Sequence, residues 1–290
     1  MIVVRLMGGL GNQMFQYAAG RNLATLRGTE LAIDLGWFDE AGPRAPASRT
    51  YELDAFDLQV RLLRLSQRRV DALEGFASRL LTPLRWIPPR LTVVREKSSS
   101  FEPSVFAAPE SSLLIGYWQS ERYFDAVAEA VRAQYSFGRL RDAVDPKLLR
   151  EIENSPSLGI HVRRGDYVTS ASTNLVHGTL EPAYYNKAAS YVTAHRDVER
   201  IFVFSDDPGW AEAHLAFQLP TTYMRTGSRA VLDLHLMQLC NHQVIANSSF
   251  SWWAAWLNEN PKKVVVAPKQ WFREPRTDPS DLVPPAWHRI

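Results

Sequence analysis

The sequence predicts an α/β fold built from two Rossmann-like domains that face a cleft. The chain opens with a strand, a glycine turn, a helix and a second strand, and a strand-then-helix rhythm repeats between residues 158 and 267. A length of 290 residues, 46% of them hydrophobic, supplies enough apolar surface for two cores of ordinary size. We place the domain boundary beside Asp145-Pro146, which predicts domains at residues 1–144 and 145–290.

Charge and cysteine content exclude several classes of protein. With 33 basic and 31 acidic residues the net charge is only +2, so no overall field favours a nucleic-acid partner. A single cysteine, Cys240, excludes an internal disulfide and a cysteine-based zinc site. The first residues are strand-like rather than a signal peptide, and no run of about 18 apolar residues occurs. We therefore expect a cytoplasmic protein.

The opening segment predicts a βαβ unit. Residues 2–7 are typical of a buried strand, and residues 8–13 of a sharp turn. Residues 14–27 then carry apolar side chains at helical spacing, and residues 30–34 form the second strand.

The glycine turn matches part of the dinucleotide-binding pattern. Gly9 and Gly11 lie two apart and Asp34 ends the next strand, but Met14 replaces the third glycine. A nicotinamide or flavin oxidoreductase is therefore an alternative, weakened because the missing glycine lets helix and strand pack closely. The turn, with Gly9 and Asn12 as candidates, either faces an anionic or hydroxyl-rich ligand or is merely tight.

Residues 61–84 predict one or two basic amphipathic helices. Their apolar residues fall at helical spacing, and arginines outnumber acids. The arginines in and next to this segment are Arg61, Arg64, Arg68, Arg69, Arg79 and Arg85. They indicate either a solvated helix face or a surface that contacts anionic lipid, which would place the protein peripherally on the inner face of the cell membrane.

Further along the chain, the remaining elements follow the same rhythm. Strands are predicted at residues 113–117, 158–162, 201–205, 243–246 and 264–267, and helices near residues 123–135, 181–195, 229–241 and 251–258.

Two adjacent arginines follow the first strand of the second half, in His161-Val162-Arg163-Arg164-Gly165-Asp166-Tyr167. Open α/β sheets hold ligands at the carboxyl ends of their strands, and a guanidinium matches phosphate oxygens two at a time. The motif predicts a diphosphate site at Arg163 and Arg164; the alternative is a structural ion pair with Asp166. His161 is expected to pack or to orient a neighbour.

Polar residues also follow two later strands. Ser205 or Asp206 either caps the helix that begins near Pro208, or Asp206 contacts a nucleotide. A second run offers small donors and backbone amides to a phosphate or ribose, or is a plain N-cap. It comprises Asn247, Ser248, Ser249 and Phe250. Because paired arginines already neutralise phosphate, no metal is expected.

Five segments together resemble the bacterial α-1,2-fucosyltransferases, glycosyltransferase family 11. They are Gly8-Gly9-Leu10-Gly11-Asn12-Gln13-Met14-Phe15-Gln16-Tyr17, Gly116-Tyr117-Trp118-Gln119, residues 161–167, residues 204–207 and residues 247–256. Their order is that of the family and they span most of the chain, whereas residues 40–95 match only loosely.

The resemblance implies a GT-B-like fold and an inverting, metal-independent galactoside α-1,2-fucosyltransferase. GDP-β-L-fucose would be a substrate, bound mainly by the C-terminal domain, with no cofactor. The acceptor would be a β-galactoside-terminated oligosaccharide or lipid-linked glycan. A donor with another nucleotide sugar is the nearest alternative.

The resemblance and the chemistry together predict site residues. Arg163 and Arg164 would stabilise the charge on the departing diphosphate. Asp166 is the first candidate for the base, with His177 and Glu181 open as alternatives. The predicted donor-binding residues are His161, Gly9, Asn12, Ser205, Asp206, Asn247, Ser248, Ser249 and Phe250.

Overall fold

The computed structural model describes residues 1–40, 49–74, 91–138, 140–225, 230–274 and 277–290, which form two compact units. Unit 1 comprises Met1–Ser136 and Ser280–Leu282, and unit 2 comprises Phe137–Pro279 and Val283–Ile290. The chain therefore divides after Ser136, whereas the sequence analysis placed the boundary after residue 144. The roles expected for the two halves stay predictions.

Unit 1 is built around a parallel sheet. The strands described in it are β1 (Ile2–Arg5), β2 (Leu31–Asp34), β3 (Arg61–Leu63), β4 (Thr92–Arg95) and β5 (Ser112–Ile115). Its described helices are α1 (Leu10–Leu26), α2 (Gly36–Glu40), α3 (Gln67–Glu74) and α4 (Ala128–Gln134). The strand order is β3-β2-β1-β5-β4, so β1 is central and buried along its length. The predicted βαβ opening is confirmed.

Two predictions for the first half are wrong in part. Arg61–Leu63 is not helical; it pairs in parallel with β2, where Ala32 faces Arg61 in the register. The predicted helix at 123–135 is two 3₁₀ turns followed by α4. Of the predicted basic helices only α3 lies within the described residues, and Arg79 and Arg85 lie outside them. Arg64 forms an ion pair with Asp39, which lowers the free positive charge of this surface.

Unit 2 repeats the strand-then-helix pattern. Its described strands are β6 (Ser157–Val162), β7 (Arg200–Ser205), β8 (Thr221–Tyr223), β9 (His242–Val244), β10 (Val265–Ala267) and β11 (His288–Arg289). Its described helices are α5 (Pro146–Asn154), α6 (Gly165–Thr169), α7 (Ala171–His177), α8 (Pro182–His195), α9 (Pro208–His214), α10 (Ala230–Leu239) and α11 (Ser249–Leu257). All four strands predicted in this half are present.

The strand order of unit 2 defines where a ligand can bind. The order is β8-β7-β6-β9-β10-β11, and every neighbouring pair is parallel. The second and third strands of the unit therefore lie on one side of β6 and the later strands on the other, as in a dinucleotide-binding Rossmann sheet. The predicted GT-B-like class, an α/β chain with two Rossmann-like domains, is confirmed at the level of each unit.

A short segment near the carboxyl end of the chain belongs to unit 1. The Phe101 N–H donates to Asp281 Oδ2 at 3.0 Å, and Arg122 Nη1 lies 2.6 Å from Asp281 Oδ1. Asp281 therefore accepts from two parts of the first unit. Within the described ranges, no helix is both long enough and apolar enough to cross a membrane.

Candidate functional site

The candidate site lies where the strand order reverses in the second sheet. Strand β6 has β7 on one side and β9 on the other. The loops that follow β6 and β9 therefore flank the topological switch point, the usual ligand position in open α/β sheets. Arg163 and Arg164 follow β6, and Asn247 and Ser248 lead from β9 into α11.

Arg163 is bound by two acids. Its Nη2 lies 2.5 Å from Asp166 Oδ1 and its Nη1 lies 2.9 Å from Asp206 Oδ2. Burial opposes the charge of Arg163, but the Asp206 and Asp166 carboxylates outweigh it and raise its pKa. The guanidinium is therefore charged, and much of its donor capacity is already used.

Arg164 is held differently. Its backbone N–H donates to Asp206 Oδ1 at 2.8 Å, and its guanidinium carbon lies 3.9 Å from the centroid of the Trp210 ring. Its Nε is 3.5 Å from Asp207 Oδ2, close enough for an ion pair, yet it makes no hydrogen bond within the described ranges. Arg164 is therefore positioned without being saturated.

The acids that follow β7 connect these arginines. Asp207, not Ser205 or Asp206, caps α9, because its Oδ1 accepts from the Trp210 N–H at 3.1 Å. Ser205 Oγ instead accepts from the Asp207 N–H at 3.0 Å. The predicted cap was thus one or two residues too early. Two guanidinium groups lie among three carboxylates, so the arginines do not form an uncompensated positive patch.

His161 is a buried, neutral ring. Its centroid lies 5.2 Å from that of Phe250, across the switch point. Burial, with help from the charge of Arg163, lowers the pKa of His161 from 6.5 to about 3. The imidazole therefore stays uncharged at neutral pH.

Asn247 holds three segments together. Its side-chain nitrogen donates to the backbone carbonyl oxygens of His177 at 2.9 Å and Trp271 at 3.2 Å, and its backbone carbonyl accepts from the Tyr167 hydroxyl at 3.0 Å. The next residue, Ser248, is the N-cap of α11, but its hydroxyl does not accept a capping hydrogen bond. Ser249 begins the helix, so the loop presents hydroxyls and backbone amides beside Asn247.

The two alternative bases differ in setting. His177 ends α7 and stacks on Tyr167, with ring centroids 4.8 Å apart. Burial lowers the pKa of His177 below 6.5, and the nearby Asp166 acts in the opposite direction. Glu181 is exposed at the N-cap of α8.

Some buried polar atoms at this site lack a hydrogen-bond partner. Of the thirteen such side-chain atoms in the described ranges, four lie here: His161 Nδ1, Arg164 Nε, His177 Nδ1 and Asn247 Oδ1. Native proteins pair the large majority of buried polar groups, so these four atoms are candidates for contact with a ligand.

Two predicted donor-binding residues lie in unit 1, at the switch point between β1 and β5. Gly9 is the N-cap of α1, and Asn12 Oδ1 accepts from Gln119 Nε2 at 2.7 Å, which ties the loop after β1 to the loop after β5. Gly8 has a φ of +74°, and a Cβ there would lie 2.6 Å from Asn12 Nδ2. The turn is therefore tight and requires glycine.

The loop after β5 is held by a partly buried acid, Glu96. The N–H groups of Tyr117 and Trp118 donate to Glu96 at 2.6 and 2.8 Å, and burial raises the pKa of Glu96. These bonds stabilise Trp118 at a φ of +55°, which is costly for a bulky residue.

The dinucleotide alternative is wrong. Asp34, the acid that would bind a ribose, is fully buried; its Oδ2 accepts from Arg5 Nε at 2.7 Å, and its Oδ1 accepts from the N–H groups of Gly36 and Leu65. No carboxylate oxygen of Asp34 is left for a cofactor.

Trp210 is a site residue that sequence reasoning missed. It stands three residues after Asp207, in the first turn of α9, so an aromatic ring at this spacing reaches back over the strand-end arginines. The described residues contain no cluster of three or more histidine, cysteine, aspartate or glutamate side chains that could hold a metal ion.

The chain is similar to known glycosyltransferases. The model of glycosyl transferase family 11 matches residues 97–290. An alpha-1,2-colitosyltransferase from Escherichia coli is 30% identical over all of this chain and 98% of its own length. The O-antigen biosynthesis glycosyltransferase WbnK of Escherichia coli is 31% identical over 92% of this chain and 93% of its own. A galactoside alpha-(1,2)-fucosyltransferase 1 from Ateles belzebuth is 25% identical over 86% of this chain and 63% of its own.

Proposed function

Because the chain belongs to glycosyltransferase family 11, we propose that it transfers L-fucose from GDP-β-L-fucose to the 2-hydroxyl of a terminal β-galactoside. The product would carry an α-1,2 linkage, formed with inversion and without a metal. One observation carries the proposal: Arg164 lies at the switch point of the second sheet with a guanidinium that is positioned yet unsaturated.

The proposed chemistry needs a fixed positive charge beside the leaving group. As the bond between fucose C1 and the β-phosphate oxygen breaks, its electron pair goes to that oxygen, and GDP leaves. Arg164 would stabilise this growing charge more than it stabilises the bound donor. The N-terminus of α11, with Ser248 and Ser249, would add backbone and hydroxyl donors on the other side of the switch point.

Arg163 takes a different part in this proposal. Since Asp166 and Asp206 already bind it, Arg163 would order the loop after β6 and contribute less direct contact with phosphate. The same pairing favours Asp166 as a partner of Arg163 over Asp166 as the base.

We assign the base to His177. The 2-hydroxyl oxygen of the acceptor forms the new bond to fucose C1, and its proton passes to a base within hydrogen-bonding distance of that hydroxyl. Because burial keeps the His177 ring neutral near pH 7, it can accept that proton, whereas the carboxylate of Asp166 is engaged by Arg163.

The pH dependence of transfer separates these bases. With His177 as the base, kcat falls as pH drops through the His177 pKa, which lies below 6.5, and His177→Gln loses on the order of 10²–10⁴ in kcat. Asp166→Asn should then keep an acid limb, shifted to lower pH because the Asp166 carboxylate no longer raises the His177 pKa. A His177→Gln enzyme with an unchanged pH profile would remove His177 from this role.

The reaction itself is tested with purified protein, GDP-fucose and a panel of β-galactosides. We expect release of GDP and an α-1,2-linked product, identified by NMR of the new anomeric proton and its coupling partner. A control panel replaces each acceptor by its 2-deoxygalactoside, which should give no product. Failure to consume GDP-fucose with any acceptor, or a product with another linkage, contradicts the proposal.

A nucleotide-activated colitose is the second candidate donor, because a colitosyltransferase matches this chain over its whole length. Colitose is fucose without its 3-hydroxyl. A site that hydrogen-bonds this hydroxyl rejects the deoxy sugar by about 10⁴-fold or more, whereas an apolar site discriminates by only about 10²-fold. Competition between the GDP derivatives of fucose and colitose, read as the ratio of kcat/KM values, decides between the two donors.

A further inference from the structure

The strongest unassigned contact in the second unit is the stack beneath Arg164. The guanidinium carbon of Arg164 lies 3.9 Å from the centroid of the Trp210 indole, within cation–π range. The imidazole of His214 stacks on the same indole, with centroids 4.6 Å apart and planes inclined by 13°. Trp210 therefore contacts both His214, on its own helix α9, and Arg164, at the switch point.

Asp207 fixes the positions of both Trp210 and Arg164. Asp207 caps α9 by accepting from the Trp210 N–H at 3.1 Å, and the other oxygen of the same carboxylate lies 3.5 Å from Arg164 Nε. One acid therefore sets both the start of the helix that carries Trp210 and the near edge of the guanidinium.

The terminal nitrogens are the part of the Arg164 guanidinium that a ligand can bind. The guanidinium carbon lies over the indole ring, and the Asp207 carboxylate approaches Nε. The terminal nitrogens of Arg164 make no hydrogen bond within the described residues. They can therefore donate two parallel hydrogen bonds to phosphate oxygens.

We propose that Trp210 is a positioning residue, which holds the guanidinium of Arg164 in the position from which it donates to the diphosphate of the sugar donor. This inference rests on the proposed function. Trp210 touches Arg164, and its contribution to transfer passes through that arginine.

The inference is tested with Trp210→Leu, Trp210→Phe, Arg164→Ala and the double variant Trp210→Leu/Arg164→Ala. We expect Trp210→Leu to lower kcat/KM for GDP-fucose about 10-fold, since a misplaced catalytic group loses rate although its charge remains. Trp210→Phe keeps an aromatic face and should recover to within about 3-fold of the wild type. The double variant should be no slower than Arg164→Ala alone, because without Arg164 there is nothing left to position.

A matched control removes another aromatic contact from the same unit. Tyr191 on α8 packs against His195, with centroids 4.4 Å apart, and makes no contact with Arg164. Tyr191→Leu should leave kcat/KM unchanged. If the losses of Trp210→Leu and Arg164→Ala multiply in the double variant, Trp210 acts by supporting the fold and the inference is overturned.

The two levels of the hypothesis fail in different ways. A wild-type enzyme that transfers fucose while Trp210→Leu matches it overturns only the role of Trp210. A wild-type protein that neither binds GDP in calorimetry nor consumes GDP-fucose overturns the proposed function, and the role of Trp210 with it.

Discussion

Each unit joins an arginine at the end of its first strand to an aspartate at the end of its second, but the two pairs have different surroundings. In unit 1, Arg5 and Asp34 are 2% and 0% exposed, 2.7 Å apart. In unit 2, Arg163 and Asp206 are 21% and 26% exposed, and a second arginine follows.

We propose that the difference separates a structural ion pair from a ligand site. Arg5 spends its other donors on Gln67 Oε1 and the Leu65 carbonyl, and Asp34 accepts from two backbone N–H groups, so the first pair is closed. In unit 2, Arg164 keeps unused donors beside a partly exposed pair. Under the proposed function, the same topological position supports the fold in one unit and binds a ligand in the other, depending on whether its donors are already satisfied.

Breaking the closed pair should produce the largest effect. Arg5→Met leaves the buried Asp34 carboxylate without its cation, and we expect a loss of about 3–5 kcal/mol in the free energy of unfolding. Urea denaturation measures it. Arg64→Met is the matched control, since the Arg64–Asp39 pair is exposed and should contribute less than about 1 kcal/mol. Equal losses in the two variants would erase the distinction between the pairs.

Removing the unsaturated arginine should act on rate and spare the fold. Arg164→Ala is expected to lower kcat by on the order of 10²–10³, equivalent to about 2.7–4 kcal/mol, with an unchanged unfolding midpoint. Arg225→Ala, which removes an arginine from an exposed pair in the same unit, should leave kcat unaltered. A kcat of Arg164→Ala within about 3-fold of the wild type contradicts the assignment.

Acid should weaken the second unit through His161. Burial lowers the pKa of His161 from 6.5 to about 3, so the folded state resists protonation. The stabilisation of the folded state by neutral His161 is complete above pH 6.5 and is lost as pH falls toward 3. Between pH 7 and pH 5 the free energy of unfolding should fall by about 2 kcal/mol. His161→Phe should reduce this slope in denaturation measured across pH. An identical slope in both proteins would exclude His161 as the source.

The bridge across the first switch point should have the smallest effect. Gln119→Ala removes the 2.7 Å hydrogen bond to Asn12, a neutral contact that we expect to stabilise the fold by about 1 kcal/mol. Gln59→Ala, at an exposed glutamine that bonds Asp57, should change stability by less than about 0.5 kcal/mol. If Gln119→Ala instead lowers kcat as much as Arg164→Ala, the first switch point also belongs to the reacting centre.

The sequence predicted the parts of the fold whose periodicity is strong. In the central strand β6, large apolar residues recur at every second position, and the end of the strand places Arg163 and Arg164 at the sheet edge. The short edge strand β3 was missed because its three residues, Arg61–Leu63, look like part of a basic helix. It is a strand only because β2 offers an unpaired edge beside it, which no local pattern reveals.

The sequence shows which residue types follow the strands, but it does not show which partners they contact. The arginine pair looked symmetrical in the sequence, yet Arg163 meets two acids and Arg164 meets an indole, because neighbouring residues after a strand point in different directions. Asp34 looked like a ribose ligand until Arg5 was seen to bury it. Contacts between residues that are distant in the sequence decide which polar groups remain able to bind a ligand.

Because Ser280–Leu282 belongs to the first unit, the chain cannot be divided into its two units by a single cut. A fragment that stops at residue 136 would lack Asp281, leaving the Arg122 guanidinium and the Phe101 amide without their acceptor. To express the two units separately, this short segment must therefore be fused to the amino-terminal fragment. A simple truncation of the chain between the units would destabilise that fragment.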